Sequence, residues 1–549
     1  MSVRQPYCKF ANSLPRCSIE RVVKQFMYIQ DSVFGRIVNF DELRRRMRSV
    51  YDAITPNFNL LRTVETLSEH FDDDPNLMIA GGASMLAYMM IPAAGEYELA
   101  EELKGNLFTL GWTEEQTGSD LLSIRTTATK VNDDPDDKTY HLSGGKWMIN
   151  NSYHADYHCV LAKIAPVQDG PRSLSLFLVP RSSTRNWERL ETHVLKGMVL
   201  TKFEVEGEGR LLGKAGHGLQ IVQRMALPSK YQCSWMGMRM LRRSVPEAIN
   251  WLAQKNIFGV NPIQFSNVFR QLYNLSLQKA LLEFTYYRAN SLNVGDFLQF
   301  HGTMLKSWLL LRVNEMLSQT WLVMGSKGFL AESPIGRDAI DSFILPVFDG
   351  HYTVNTLMTS KHAERYLHSE ETINADERIE GLRQDLFNNG LHGEMEANSR
   401  TLRQPNFFNL PDYFNQLKLP INVPIQEALD SFSNLLAEVQ SRGEMGNEPE
   451  YKYKTGDLVH WLESVLSAAE LWKVTENDHY LNGIIQQFNG FVKHFNDVVS
   501  EGGLMTGFMT PLRQLPLPNV SDPKQFLLDL CNVEKHVRCY QLTAQPTLS

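Results

Sequence analysis

From Asn106 to about Leu212 the chain changes period, and this change limits its possible folds more than any other feature. Before it, stretches such as FDELRRRMRSVYDAI space apolar residues three and four apart, as one face of a helix requires. Within it, SLSLFLV and TKFEVEG alternate apolar and polar with period two, the pattern of half-buried strands. KTYHLSGGKWMIN reads as two short runs around Ser143-Gly144-Gly145, a hairpin signal. From Gly213 helical periods return, in SWMGMRMLRRSVPEAINWLAQ, FRQLYNLSLQKALLEFTYYRAN and LKSWLLLRVNEMLSQTWLVMG, apolar on more than one face. Residues 370 to about 422 are broken by Pro405, Pro411, Pro420 and Pro424 and read as a linker. Further helical periods follow it. Helices, then strands, then helices make a segregated α+β chain. The expected domains are 1–105 (helical), 106–212 (β), 213–369 (helical) and 370–549 (linker and additional helical module).

Composition removes several function classes. With 549 residues, 43% hydrophobic and 21% charged, the chain has ordinary globular content. A formal net charge of −8 argues against a nucleic-acid partner. The basic runs Arg44, Arg45, Arg46, Arg48 and Arg239, Arg242, Arg243 read as solvated helix faces. Six cysteines in so long a chain make no disulfide framework. His154 and His158, on a stretch read as strand, stand about 13 Å apart at four residues' offset, so no metal site is expected. Leu77 to Ala94 carries no charge over eighteen residues, the lower edge of a membrane span. It lacks flanking anchors and contains Gly81-Gly82, Ser84 and Pro92, so it reads as a buried core helix. Arg4, Lys9, Arg16, Arg21 and Lys24 before a sparse acidic complement faintly resemble an organellar presequence, making the mitochondrial matrix the alternative to a cytoplasmic location.

The chemistry-bearing segments come in a fixed order. GWTEEQTGSDLLSI places the hydroxyls of Thr113 and Ser119 about a turn at Gly118. LSGGKWMIN, GKAGHGLQIV, LAQKNIFGV, MGSKGFLAESPIGRDAIDSFI and LPVFDGHYTVN follow. In sequence and spacing these resemble the acyl-CoA dehydrogenase family over about Asn106 to Leu367. The resemblance implies N-terminal helices, a middle β-barrel-like domain and a C-terminal four-helix bundle, with FAD as cofactor. An additional helical region would follow the bundle.

Residue by residue, it implies that Trp112 and Thr113 lie along a flavin ring and that Ser119, after Gly118, contacts FAD phosphate. Met148 and Asn150 fall where Trp and a hydroxyl residue usually meet the flavin, because Trp147 is offset by one. Lys255, Phe258 and Gly259 match an Arg…Phe-Gly turn that reaches FAD across a subunit interface. Gly325 and Ser326 match a glycine turn near the pyrophosphate, while Leu322 replaces a glutamine that binds the adenine half. His351 and Thr353 fall in a segment touching FAD, His351 and Tyr352 being bulkier than usual there.

Asp349 matches the family's catalytic glutamate. As a general base it would remove the proton α to a thioester while flavin accepts a β-hydride. Its own dipeptide, Asp349-Gly350, is equally a turn signal. The leading expectation is an FAD-dependent acyl-thioester dehydrogenase. Its substrate would be carried by CoA or an acyl-carrier protein, its electron acceptor would be a flavoprotein or oxygen, and it would form a homodimer or homotetramer. The alternatives are a related flavin oxidase or monooxygenase of the nitroalkane-oxidising kind, or a non-catalytic homologue acting as a scaffold.

Overall fold

The computed structural model describes residues 39–53, 75–167, 170–195, 198–291, 297–330, 332–389, 407–443 and 448–537. The helical expectations for SIERVVKQFMYI and TPNFNLLRTVETLSEHF, and the basic N-terminal residues, lie outside them. The chain divides into two compact units, the first holding the described residues up to Ile221 except Ala53, together with 330–333, and the second Ala53 and the described residues from Val222 onward apart from 330–333.

In the first unit, helices α1 (Phe40–Ala53), α2 (Pro75–Ala93) and α3 (Tyr97–Leu103) precede seven strands. The strands are β1 (Phe108–Gly111), β2 (Thr127–Lys130), β3 (Thr139–Asn150), β4 (Tyr157–Ile164), β5 (Leu174–Pro180), β6 (Thr184–Leu190) and β7 (Leu200–Leu212). Pairing runs β4–β2–β3–β7–β5 and returns from β5 to β4, which closes five strands into a barrel. Closure leaves these strands no free edge. β1 adds in parallel to β4, and β6 flanks β7. Alternation puts Ala128, Leu142, Val160, Phe177, Val179, Phe203 and Val205 into one buried core.

The hairpin expected at Ser143-Gly144-Gly145 is absent: β3 runs unbroken through it. Gly144 serves close approach instead of a turn, since a Cβ there would stand 2.7 Å from the Cα of Thr126.

Helix α2 is the apolar stretch that passes a membrane-span test by length, yet 83% of that window is buried inside the protein. Its polar atoms are used there. Ser84 Oγ accepts from the Phe108 amide (3.0 Å), and the Ala80 carbonyl accepts from Asn151 Nδ2 (2.7 Å). Such bonds fasten a core helix to β1 and to the end of β3.

Helix α4 (Gly218–Ala253) leads into the second unit, followed by α5 (Ser266–Ser291), α6 (Phe297–Met304), a π turn over Leu305–Leu309 and α7 (Leu310–Val323). Then come α8 (Pro334–Ser342), α9 (Tyr352–Ser360), α10 (Ala363–Leu367), α11 (Ala375–Asn389), α12 (Leu410–Leu417), α13 (Ile425–Ser441), α14 (Pro449–Thr475), α15 (Leu481–Gly502) and α16 (Pro523–Leu530). Helices α11 and α12 fall within the stretch read as a linker. No proline interrupts residues 375–389, and the prolines that suggested the linker stand further along.

The basic run on α4 is not a solvated face either. Arg242 Nε bonds Glu283 at 2.8 Å and Arg243 pairs with buried Asp338. Facing buried carboxylates recruited both arginines inward, which sequence distance hides.

One face of α14 organises this unit. Glu463 and Glu470, two turns apart, are buried. Glu463 accepts from Arg288 of α5, Tyr366 of α10 (2.8 Å) and His301 of α6 (3.2 Å). Glu470 accepts from Arg288, Arg378 of α11 (2.6 Å) and Tyr413 of α12 (2.8 Å). The helices after residue 370 are thus tied into the same interior as α5 and α6.

Candidate active site

The Thr113 segment is held from beneath by β3. Lys146 Nζ donates to the Trp112 carbonyl (3.4 Å), and the Trp147 amide donates to the Thr113 carbonyl (3.0 Å). Lys146 also pairs with Glu114 at 3.0 Å and donates to the Leu161 carbonyl at 3.0 Å. Glu114 accepts in addition from the amides of Arg125 (2.7 Å) and Thr126 (3.0 Å) and the Thr126 hydroxyl (2.5 Å). Burial pushes the Lys146 ammonium down to about 8 while Glu114 opposes the shift. Burial pushes the Glu114 carboxyl up, but Lys146 and the three donors outweigh it and leave it below its ordinary value.

Glu114 and Lys146 had no chemical role in the sequence reading. Their spacing, thirty-two residues across a turn and two strands, gave no signal of a pair. Replacing Glu114 by Gln leaves the Lys146 ammonium buried without its counter-charge, a change that costs about 3–5 kcal/mol. The expected result is a lower urea midpoint; a midpoint within the error of the parent chain would show that the pair does not hold this segment.

On β3 the register against β7 shifts between Lys146 and Ile149, with one extra residue on the β3 side. Met148 adopts φ 57° within this bulge. Bulges re-aim the side chains that follow them. Just beyond it, both amide atoms of Asn150 are buried and, among the described residues, have no hydrogen-bond partner. The indole N–H of Trp112 is buried and partnerless in the same sense. Buried polar groups are nearly always satisfied, so these atoms require a partner from water or from a ligand. Gly118 and Ser119 are exposed, and a Cβ on Gly118 would meet nothing within 4 Å.

In the second unit, Ile257 and Val260 exchange both backbone hydrogen bonds across Phe258 and Gly259. Both central residues have positive φ, 54° and 79°, as in a type I′ turn. A bulky residue in that region is strained, and Phe258 is 96% exposed. Lys255 Nζ sits 3.8 Å from the centroid of the Trp251 ring, and Lys327 Nζ 5.7 Å from the same ring. Trp251 is thus approached both by Lys255 and by Lys327, the residue that follows Gly325-Ser326. Gly325 has φ 63°, and both turn residues are exposed. Trp251 and Lys327 were not singled out in the sequence; helical spacing ranks Trp251 as core. Leu322 is exposed.

Asp349 lies half-buried in the turn between α8 and α9, with φ 55°, followed by Gly350 at φ 96°. The turn is pinned. Tyr352 N donates to the Pro346 carbonyl (2.8 Å), and Asn355 Nδ2 donates to Gly350 O (2.9 Å) and His351 O (3.2 Å). The His351 imidazole caps α9, its Nδ1 accepting from the Thr353 amide at 3.2 Å. Two ammonium groups lie around Asp349. Lys230 of α4 interacts with its charge, and Lys306 donates to the Leu345 carbonyl and sits 4.5 Å from the Phe348 ring centroid. Ser229, beside Lys230, spends its hydroxyl on the Ala226 carbonyl (2.8 Å).

Comparison with known proteins then places the chain. Residues 109–206 match the acyl-CoA dehydrogenase middle domain and residues 216–363 the acyl-CoA dehydrogenase C-terminal domain. Together these two acyl-CoA dehydrogenase family domains account for somewhat under half of the chain. AidB of Escherichia coli is 34% identical over 168 residues, 29% of this chain and 29% of that protein. The 3-methylmercaptopropionyl-CoA dehydrogenase of Ruegeria pomeroyi is 26% identical over 286 residues, 44% of this chain and 47% of that protein. The chain thus spans less than half the length of either relative. An acyl-CoA dehydrogenase from Bacillus anthracis, solved in complex with FAD, superposes with TM-score 0.64 at 17% identity, covering 96% of this chain and 92% of that one. That likeness of fold reaches past residue 370 into the C-terminal helices. The fold is mixed α+β with a closed barrel-like sheet in its middle and helices after it.

Proposed function

We propose that this protein is an FAD-dependent dehydrogenase of acyl thioesters such as acyl-CoA. The reading rests most on Asn150, whose buried amide lacks any partner among the described residues. A flavin ring carries the donors and acceptors that such an amide and the Trp112 indole require. Thr113, next after Trp112 in the chain, adds a hydroxyl for the same ring, Met148 supplies soft packing from the bulge, and Ser119 offers a hydroxyl to phosphate at the exposed turn. Lys255 and Lys327 supply positive charge to a pyrophosphate beside the Gly325-Ser326 turn, where Gly325 keeps the backbone open to it. Phe258, exposed and strained, is suited to reach the cofactor of a second copy.

FAD, when bound, supplies the acceptor for the β-hydride. Asp349 takes the α-proton onto its carboxylate, which the pinned turn and its positive φ hold in one place. The name of the Ruegeria pomeroyi relative supports a thioester substrate; we assign the role of electron acceptor to another flavoprotein or oxygen.

The test is the visible spectrum of the purified protein before and after incubation with excess FAD. Near one equivalent of flavin per chain, lost or strongly reduced in Asn150→Leu, is the expected result. A colourless protein that ignores added FAD would overturn the proposal.

A further inference from the structure

Helix α14 lies outside the two matched domains, yet it packs on α9, the helix that follows the Asp349 turn. Glycine inside a helix is a poor choice on propensity alone. Gly456 stands within α14 all the same, and a Cβ on it would overlap the Thr356 carbonyl oxygen of α9 and stand 3.0 Å from its carbon. At that point the two helix backbones meet directly. One turn further along α14, the buried His460 Nε2 bonds the Thr359 hydroxyl at 2.8 Å. His460 Nδ1 is buried and has no hydrogen-bond partner among the described residues, so Thr359 is the polar anchor of the ring. Burial lowers the imidazole to about 4 and leaves it neutral at neutral pH.

The same short helix holds the turn. Asn355 of α9 donates to the carbonyls of Gly350 (2.9 Å) and His351 (3.2 Å), the two residues after Asp349. Thr359 also meets the Thr303 hydroxyl of α6 at 2.8 Å, and Lys306, three residues on from Thr303, grips the Leu345 carbonyl before the turn. The turn is thus held by Lys306 on one side and by α9 on the other, and α9 is held by Gly456 and His460. Close-packed interiors transmit a displacement, so a shift of α9 at Thr356 and Thr359 moves Asn355 and the bonds it makes.

We propose that α14 positions the Asp349 carboxylate through α9, with Gly456 and His460 as the positioning residues. This rests on the reading of Asp349 as the proton acceptor and adds to it two residues from beyond the matched domains.

The test uses the full chain with FAD, as the parent protein and as Gly456→Ala, His460→Leu, His460→Gln and Val474→Ala. Val474, buried near the other end of α14, is the packing control. The first readout is flavin bleaching by whichever of butyryl-, octanoyl- and palmitoyl-CoA bleaches the parent fastest. The second is amide hydrogen exchange over residues 346–352 without substrate. In Gly456→Ala and His460→Leu the limiting rate should fall about 10–100-fold while the half-saturating concentration stays near the parent's. The Tyr352 amide, bonded to the Pro346 carbonyl, should exchange at least about tenfold faster in both. His460→Gln brings an N–H to the same place and should keep both readouts within about threefold of the parent. Val474→Ala should lower the urea midpoint and move neither readout. Parental rate and exchange in Gly456→Ala and His460→Leu would overturn the proposal, and so would the same losses in Val474→Ala. Where the parent bleaches, either readout moving without the other would overturn it too. Should Gly456→Ala fail to fold, the two His460 variants decide, and equal readouts in both overturn it. If no ester bleaches the parent while the Tyr352 amide is freed as expected, the coupling of α14 to the turn stands and the dehydrogenase reading falls.

Discussion

Asp349→Asn should retain bound flavin and lose about 10²–10⁴-fold in the rate at which acyl-CoA bleaches it, because the amide cannot take up the α-proton. A second readout isolates the proton step. Incubating the parent protein with acyl-CoA in D₂O should wash deuterium into the α position, seen by NMR, and Asp349→Asn should not. Asn is the sharper substitution than Ala here, since Asn also tolerates the left-handed backbone at φ 55° and keeps the turn. Unchanged bleaching and unchanged wash-in would reduce Asp349 to a turn residue. The geometry makes both roles compatible. Asp349 is in a turn, but one pinned by Asn355 and the Tyr352 amide, and beside two ammonium groups that a solvent turn does not need.

What the sequence disclosed follows from the range over which each signal acts. Period two and period 3.6 are local, so the passage from helices to strands at Asn106 and back after Leu212 was legible, as was α2 as a core helix. Closure of β5 onto β4 is a pairing between distant strands and leaves no mark on either strand alone. Gly144 misled because a glycine that makes a turn and one that admits Thr126 look the same in sequence. The segments around Thr113, Asn150 and Asp349 were visible through their order and spacing. The residues beneath them were not: Lys146 beneath Trp112, Trp251 between Lys255 and Lys327, and Lys230 against Asp349 are ordinary residues on amphipathic stretches until the fold turns them inward. Arg242 and Arg243 show the same limit, since a basic run on a helix reads as a solvated face until its buried partners are known.

Glu470→Gln should destabilise the second unit by about 3–5 kcal/mol, read as a lower urea midpoint at neutral pH. The carboxylate is fully buried and accepts from Arg288, Arg378 and Tyr413 together, so the neutral amide leaves two guanidinium groups short of counter-charge at once. An exposed pair such as Lys202–Glu188 is the control, and Glu188→Gln should leave the midpoint within the error of the parent chain. The dependence on pH has a definite sign. Burial raises both α14 carboxyls, but Arg288 in each case, joined by Arg378 at Glu470, outweighs burial and holds them below their ordinary range. A depressed carboxyl contributes stability above its unfolded value of about 4.3 and loses it as pH falls further. The parent protein should therefore lose stability steeply in acid, and Glu470→Gln should show a shallower decline from a lower plateau. A midpoint within about 1 kcal/mol of the parent would mean that the helices after residue 370 are held by apolar packing alone. A large loss accompanied by release of flavin would instead make these helices part of what keeps α5 and α6, and with them Lys306 and the Asp349 turn, in working order.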